Sequence, residues 1–212
     1  MRLDHVSYAT SHEQISDVVN RIGSQIGTSF VDGGIHPRFG TRNFTAPLLN
    51  GQYIEVVCPM DHPATDSTPF GKAVKKKVEA GGGWLTWVIS TDNIEEIEKA
   101  LGRKSVIGNR KKPDGSELEW KQLGVLDTLG DFQKPFFVQW LTDYHPSKDG
   151  KAVSEISIVK MSSDNPTIPA FAGDELYLDS IKIEWSKPES NDLETGITSI
   201  EFKSNNSTTC VI

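Results

Sequence analysis

The residues best suited to chemistry lie in one stretch, residues 33–63, which holds two of the five histidines, His36 and His62, and a single glutamate, Glu55. Glu55 interrupts the apolar run YIEVV, where strand alternation puts it on one face with Tyr53. A carboxylate on so apolar a strand either faces solvent or lines a cavity, and the strand alone leaves both interpretations open. A general base on such a strand would need its pKa raised by burial, or a metal to acidify the substrate.

A tight turn is expected to position this strand. The pair Asn50-Gly51 separates two apolar runs, and these residue types tolerate the positive φ that a type I′ turn requires at both central positions. The sequence therefore predicts a hairpin whose second strand carries Glu55.

Polar side chains earlier in the chain could belong to the same site. His36, Thr41 and Asn43 lie next to glycines, so they are candidates for binding or catalysis, but Thr and Asn also stabilise such turns. In the first predicted strand, LDHVSYA, His5 and Ser7 share a face. That pairing favours a cavity position for His5 over a satisfied core histidine.

The second half of the chain offers one cation in a comparable place. Arg110 precedes a Pro-Asp-Gly turn and could hold a carboxylate or phosphate bidentately, although a surface ion pair is the commoner role. Trp87, Trp120 and Trp140 are predicted to form core and cavity wall. His145 precedes a proline, as His62 does, so both histidines are interpreted as structural.

Two amphipathic helices are predicted, each following an apolar strand. Each begins at a capping box and ends at a glycine. In the first helix the capping pair is Ser11 and Gln14, and Gly23 ends the helix. In the second the capping pair is Asp92 and Glu95, and Gly102 ends the helix.

The elements repeat in the same order, strand, helix, hairpin and apolar strand, which is a βαβββ unit used twice. Residues 1–63 form the first module and residues 84–146 the second, joined by a linker with a short helix at residues 64–83. Residues 147–212 read as a β-rich extension whose last residues, 204–212, fray. The fold class predicted is α+β, with two modules forming a half-open, barrel-like sheet around a polar hollow.

Composition limits the partners. The net charge of −7 excludes the electrostatic footprint of a nucleic-acid-binding protein. No membrane span or signal peptide is recognisable, so a cytoplasmic, reduced protein is expected, with Cys58 a small core residue.

Five motifs carry a resemblance to a known family: LDHV, GGIHPRFGTRN, YIEVV, RKKPDGSELEW and PFFVQW. In this order the chain resembles the glyoxalase-like domain of the vicinal oxygen chelate superfamily, over about residues 2–146. The resemblance implies paired βαβββ modules, a small-molecule ligand, and either one divalent metal ion (zinc, manganese, iron or nickel) or none. Members often pair modules between chains, which implies a homodimer as one expected assembly.

The resemblance also implies positions for site residues. Metal ligands come from the first and last strands of each module, which assigns His5 and Glu55 in the first module and Gln139 in the second. The remaining position falls within residues 85–87, where no good ligand stands. His36 could add a nitrogen from a loop.

Two functions are expected from these residues. The first is a metal-assisted lyase, isomerase or dioxygenase acting on a small oxygenated compound, with Glu55 and His36 catalytic. Its substrate-binding residues would be His5, Thr41, Asn43, Arg110 and Trp87. The alternative is a protein that binds a small molecule in the same cavity without turnover, as in resistance proteins that sequester antibiotics.

Overall fold

The computed structural model describes residues 1–164, 181–188, 195–204 and 209–212. Eight strands form a closed barrel in the order β1-β4-β3-β2-β6-β7-β8-β5, and four more form a second sheet in the order β10-β9-β11-β12. The barrel strands are β1 (Arg2–Ala9), β2 (Val31–His36), β3 (Thr41–Pro47), β4 (Tyr53–Pro59), β5 (Gly83–Ser90), β6 (Val106–Lys111), β7 (Glu117–Leu123) and β8 (Phe136–Trp140). The second sheet contains β9 (Ser154–Ser162), β10 (Lys182–Ser186), β11 (Gly196–Ser204) and β12 (Thr209–Val211). The described helices are α1 (Ile15–Ile26), α2 (Pro63–Ser67), α3 (Pro69–Glu79), α4 (Ile94–Leu101) and α5 (Val125–Gly130).

The barrel is built from two half-sheets. Strands β1 to β4 are contiguous, as are β5 to β8, and the halves meet where β1 pairs with β5 and β2 with β6. The predicted α+β class with paired modules is confirmed, and the sheet is closed where a half-open one was expected. Ile54 and Val56 of β4 face outward onto the apolar side of α1, so the alternate residues of that strand face the interior.

The predicted hairpin between β3 and β4 is confirmed. Asn50 and Gly51 have φ of 63° and 69°, and Leu48 N–H donates to Gln52 O at 2.8 Å. This fixes a register in which Thr45 faces Glu55 across the pair.

Helix boundaries differ from the sequence prediction. Helix α1 continues past Gly23 and ends at Gly27, which takes the left-handed conformation. Gly23 instead allows close packing, because a Cβ there would lie 2.8 Å from the Thr28 carbonyl oxygen. Gln14 makes no side-chain cap, and the cap residue of α4 is Asn93, so neither predicted capping box forms. The predicted end of α4 at Gly102 is confirmed.

The segment expected to link the modules contains helices α2 and α3. Phe70, Ala73 and Val74 of α3 are buried against the barrel. Helix α5, between β7 and β8, was missed because it has only six residues.

The β-rich extension forms the second sheet, which packs on the barrel through β11 and β5. The Trp84 indole N–H donates to Ile212 O at 2.8 Å, and the Ile212 backbone pairs with Ile200. The prediction that the last residues fray is therefore wrong for residues 209–212. Residues 205–208, and residues 176–180 of a predicted strand, lie outside the described part of the chain. No helix in the described ranges combines the length and apolarity needed to cross a bilayer.

Candidate functional site

The barrel interior contains a small polar cavity of about 30 Å³, which is room for about two water-sized groups. Its polar lining residues are His5, His36, Asn43, Tyr53, Glu55, Arg110 and Gln122, and aromatic and aliphatic side chains complete the wall. Five of these polar residues, His5, His36, Asn43, Tyr53 and Glu55, lie in the first module's strands.

Glu55 is buried and held by two neutral donors. The Ser7 hydroxyl donates to Oε2 at 2.7 Å, and the Asn43 amide donates to Oε1 at 2.8 Å. Burial alone would raise the pKa of Glu55, but the imidazoles of His36 and His5 and these hydrogen bonds outweigh burial and lower it. Glu55 is therefore an ionised carboxylate at neutral pH.

His36 lies beside this carboxylate, with Nε2 at 3.8 Å from Glu55 Oε1. Its other nitrogen, Nδ1, is 2.9 Å from the Thr41 hydroxyl, so Thr41 orients the ring from behind. Burial lowers the pKa of His36 to about 4, which leaves the ring neutral near pH 7.

His5 is oriented by an aspartate that the sequence analysis missed. Asp4 is fully buried, and its Oδ1 lies 2.8 Å from His5 Nδ1 while Oδ2 accepts from Trp140 and His145, each at 3.1 Å. Burial alone would raise the pKa of Asp4, but the hydrogen bonds from both histidines hold it well below its usual range. Because His5 Nδ1–H donates to Asp4, His5 Nε2 is the ring nitrogen left to face the cavity. The His5 ring stacks on the Tyr53 ring, with the ring centroids 4.3 Å apart.

Arg110 is buried inside the barrel with 2% exposure, so the surface ion pair expected for it is wrong. Its nearest acid is Asp149, 3.5 Å away, which already binds Lys112 at 3.0 Å and the Tyr144 hydroxyl at 2.8 Å. Arg110 Nε and Nη2 are buried without a hydrogen-bond partner among the described residues. A buried guanidinium with free donors lining a cavity is a site for an acceptor group.

Two predicted site residues lie elsewhere. Gln139 lies outside the barrel, where its amide bonds Ile94 N and Asp92 O, because the neighbouring positions of β8, Val138 and Trp140, face the cavity. Trp87 packs in the outer core and donates to Gln133 O, since its strand partner is the outward-facing Val6. His62 and His145 each accept a backbone N–H at the start of the next helical turn, which fits their structural interpretation.

Several cavity residues were missed as site residues. They are Tyr53, Gln122, Phe39, Phe70 and Phe136, and behind them Asp4, which binds His5 without lining the cavity. Tyr53 could have been found, because it shares the Glu55 face in the alternation, whereas Phe39 and Phe70 reach the cavity from a turn and a helix that carry no such signal.

Comparison with known proteins defines the family. The sequence model of the glyoxalase-like domain matches residues 3–177. The chain belongs to the glyoxalase-like domain family. No curated protein shows significant sequence similarity to it.

Solved structures with the vicinal oxygen chelate fold resemble this glyoxalase-like chain. A hypothetical protein from Staphylococcus aureus has a TM-score of 0.63 and 16% identity, over 98% of this chain and 92% of that one. Methylmalonyl-CoA epimerase from Mycobacterium tuberculosis has a TM-score of 0.43 and 15% identity, over 65% and 85%. A Streptomyces coelicolor methylmalonyl-CoA epimerase in complex with 2-nitronate-propionyl-CoA has a TM-score of 0.44 and 14% identity, over 67% and 96%. For the Staphylococcus aureus protein, at 16% identity, the likeness is one of fold.

The metal set inferred from the glyoxalase-like resemblance does not fit the residues present. Gln139 faces away from the cavity. The residues beside it that could take the ligand positions of the second module, Val88, which pairs directly with His5, and Val138, have no ligand atom. Both Glu55 oxygens already accept hydrogen bonds, and no cluster of three or more His, Cys, Asp or Glu in the described ranges is arranged to hold a metal. A buried guanidinium in the same cavity would also repel a dication.

Proposed function

We propose that this glyoxalase-like domain binds a small carboxylic acid inside the barrel, with its carboxylate on Arg110. The observation that carries the proposal is the pair of buried Arg110 donors, Nε and Nη2, neither of which makes a hydrogen bond to a described group, although Nη2 lies 3.5 Å from Asp149 Oδ2 as an ion pair. Leaving such donors unpaired costs about 1–3 kcal/mol, a cost that a ligand oxygen removes. Nε and Nη2 form one edge of the planar guanidinium, which suits both oxygens of a carboxylate.

The cavity accepts such a group by size and charge. A carboxylate fills a space comparable to the two water-sized positions available. Asp149 balances Arg110 only partly, because Asp149 is shared with Lys112.

Binding of acetate, followed through the indole N–H signals of the tryptophans, tests this function, because Trp120 lines the cavity. Arg110→Met should lose acetate binding by at least tenfold. Arg21→Met, which removes an exposed arginine of α1 that contacts the Tyr8 hydroxyl, is the matched control and should bind acetate as the unmodified protein does. Equal acetate affinity in Arg110→Met would overturn the proposal. Asp149 keeps Lys112 and Tyr144 as partners, so this variant retains a satisfied interior.

A second candidate, proton transfer to or from the bound acid, is favoured by the Asp4–His5 pair. Glu55 and His36, the catalytic residues expected from the sequence, have lowered pKa values and are therefore weak bases. His5, fixed by a buried carboxylate, presents Nε2 as an acceptor, which suits the removal of a proton next to a carboxylate. Isomerases and lyases share that step.

Exchange of the α-hydrogen of propionate in D₂O, followed by NMR, tests the second candidate. His5→Gln should abolish exchange while acetate still binds, whereas His12→Gln, at an exposed histidine, should leave the rate unchanged. If the unmodified protein catalyses no exchange, or if exchange persists in His5→Gln, the proton-transfer function is wrong and binding alone remains.

A further inference from the structure

An apolar groove lies directly outside the aromatic wall of the cavity. It measures about 470 Å³, within the range of small-molecule sites, whereas the cavity has room for little more than a carboxylate. Groove and cavity share three walls, Phe39, Phe70 and Gln122. A ligand held by Arg110 and larger than acetate must therefore pass this wall to reach open space.

Exposed large apolar side chains cluster at the groove. Among the described residues, seven large apolar or aromatic side chains are exposed, and three of them line this groove: Val106 at 55%, Ile107 at 37% and Leu126 at 57%. Clustering of this kind marks a binding surface, whereas single exposed apolar residues are ordinary.

The charges at the rim favour a particular kind of occupant. Arg38, Arg103 and Lys104 line the groove and no acid does, and of the three cations Arg103 is paired with Asp127 and Lys104 with Glu98. Arg38 is exposed and forms no ion pair with any described residue. An aliphatic chain that ends in a neutral or anionic group therefore fits the groove, and one that ends in a cation does not.

The wall between the two spaces is made of two rings on fixed backbone. Phe39 and Phe70 meet edge to face at 5.7 Å. The Thr65 hydroxyl donates to Gly40 O at 2.6 Å, and a Cβ at Gly71 would lie 2.6 Å from Phe39 O, so the turn and the start of α3 are locked together. Passage through this wall therefore needs rotation of the two rings, which is a faster and smaller change than loop movement.

We propose that the groove holds the aliphatic chain of the ligand whose carboxylate binds Arg110, so that the ligand is a straight-chain carboxylic acid threaded between Phe39 and Phe70. This inference rests on the proposed function and names its substrate class. The aliphatic chain of the ligand covers Val106, Ile107 and Leu126. Gln122, which lines both spaces, lies where the cavity meets the groove.

A homologous series of acids from acetate to decanoate, kept below micelle-forming concentrations, tests the proposal. Once the chain passes the two rings, each added methylene should tighten binding about three- to fourfold. Val106→Asp should remove this gain for octanoate and leave acetate affinity unchanged. Val211→Asp is the matched control, since Val211 is equally exposed but lies on β12, and it should keep the full gain.

The outcomes separate the two proposals. Acetate and decanoate binding with equal, Arg110-dependent affinity would overturn the groove and keep the carboxylate site. A chain-length gain that survives in Val106→Asp would also overturn it, as would decanoate binding unchanged in Arg110→Met. If no acid of the series binds, both proposals fail.

Discussion

The Glu55 carboxylate accepts a 2.8 Å hydrogen bond from the Asn43 amide, and the two residues belong to adjacent strands of one hairpin. The tight turn at Asn50 fixes the register that makes this contact possible. A negative charge is thus held inside the barrel by neutral hydrogen-bond donors, next to a His36 ring that is neutral near pH 7. The arrangement suits a rigid recognition surface more than a base that must change protonation state.

Replacing Asn43 by alanine should destabilise the protein and raise the pKa of Glu55. A hydrogen bond to a buried charge contributes about 1.5–3 kcal/mol, so we expect the free energy of unfolding at pH 7 to fall by about 2 kcal/mol in urea denaturation. Asn109→Ala is the control, because the side-chain amide oxygen of Asn109, Oδ1, is buried and has no hydrogen-bond partner among the described residues. A loss as large in Asn109→Ala would remove the special role given to Asn43.

Stability should depend on pH through His36. Its pKa is about 4 in the folded protein, below the ordinary 6.5, so the unfolded chain binds the extra proton first. The free energy of unfolding should therefore fall by about 3 kcal/mol as pH drops from 6.5 to 4, and rise again on return. His36→Gln should flatten this slope, and His12→Gln should not. An unchanged slope in His36→Gln would contradict the assignment.

Asp4→Asn should be strongly destabilising at neutral pH. The carboxylate is fully buried and joins His5, His145 and Trp140, and breaking such a group costs about 3 kcal/mol. Because the folded pKa of Asp4 is lowered, its contribution is complete above the ordinary pKa and is lost as pH falls below about 4. The difference between variant and unmodified protein should shrink at that pH. Asp143→Asn, at an exposed aspartate, should have no effect.

Two helical glycines should respond oppositely to alanine. At Gly23 a Cβ would lie 2.8 Å from Thr28 O, so Gly23→Ala should lower the melting temperature despite the better helix propensity of alanine. At Gly130 no atom lies within 4 Å of the added Cβ, so Gly130→Ala should be neutral or stabilising by up to about 1 kcal/mol. A stable Gly23→Ala would mean that the α1 end can shift.

Local patterns predicted much of the first module. Alternation grouped Glu55 with Tyr53 and His5 with Ser7, each pair on one face, and the Asn-Gly pair predicted the hairpin that brings Asn43 beside the carboxylate. These signals depend on neighbours in sequence, so they need no tertiary information.

The strand matching implied by the family resemblance gave the wrong face at β8 for Gln139, and the substrate-binding role expected for Trp87 on β5 was also misplaced. Phe136, Phe137 and Val138 are all buried, so the apolar pattern cannot distinguish the interior face from the outer core, and Gln139 was assigned to the wrong side. Trp87 was misassigned for the same reason.

Asp4 was missed for a different reason. The β1–β5 register shifts between Leu3 and His5, so Asp4 occupies an irregular position beside His5 in place of the opposite face. A bulge of this kind depends on the partner strand, which the sequence of β1 does not reveal.

The barrel closes along a narrow line. Strands β2 and β6 pair at a single position, Ile35 with Lys111, and a Cβ at Gly34 would lie 1.9 Å from Lys111 O. Every other seam of the barrel is a longer ladder. The two halves are consequently joined by a long ladder between β1 and β5 but by a single pair between β2 and β6, so thermal opening of the barrel should begin at Gly34, which pairs with Asn43 across β2 and β3.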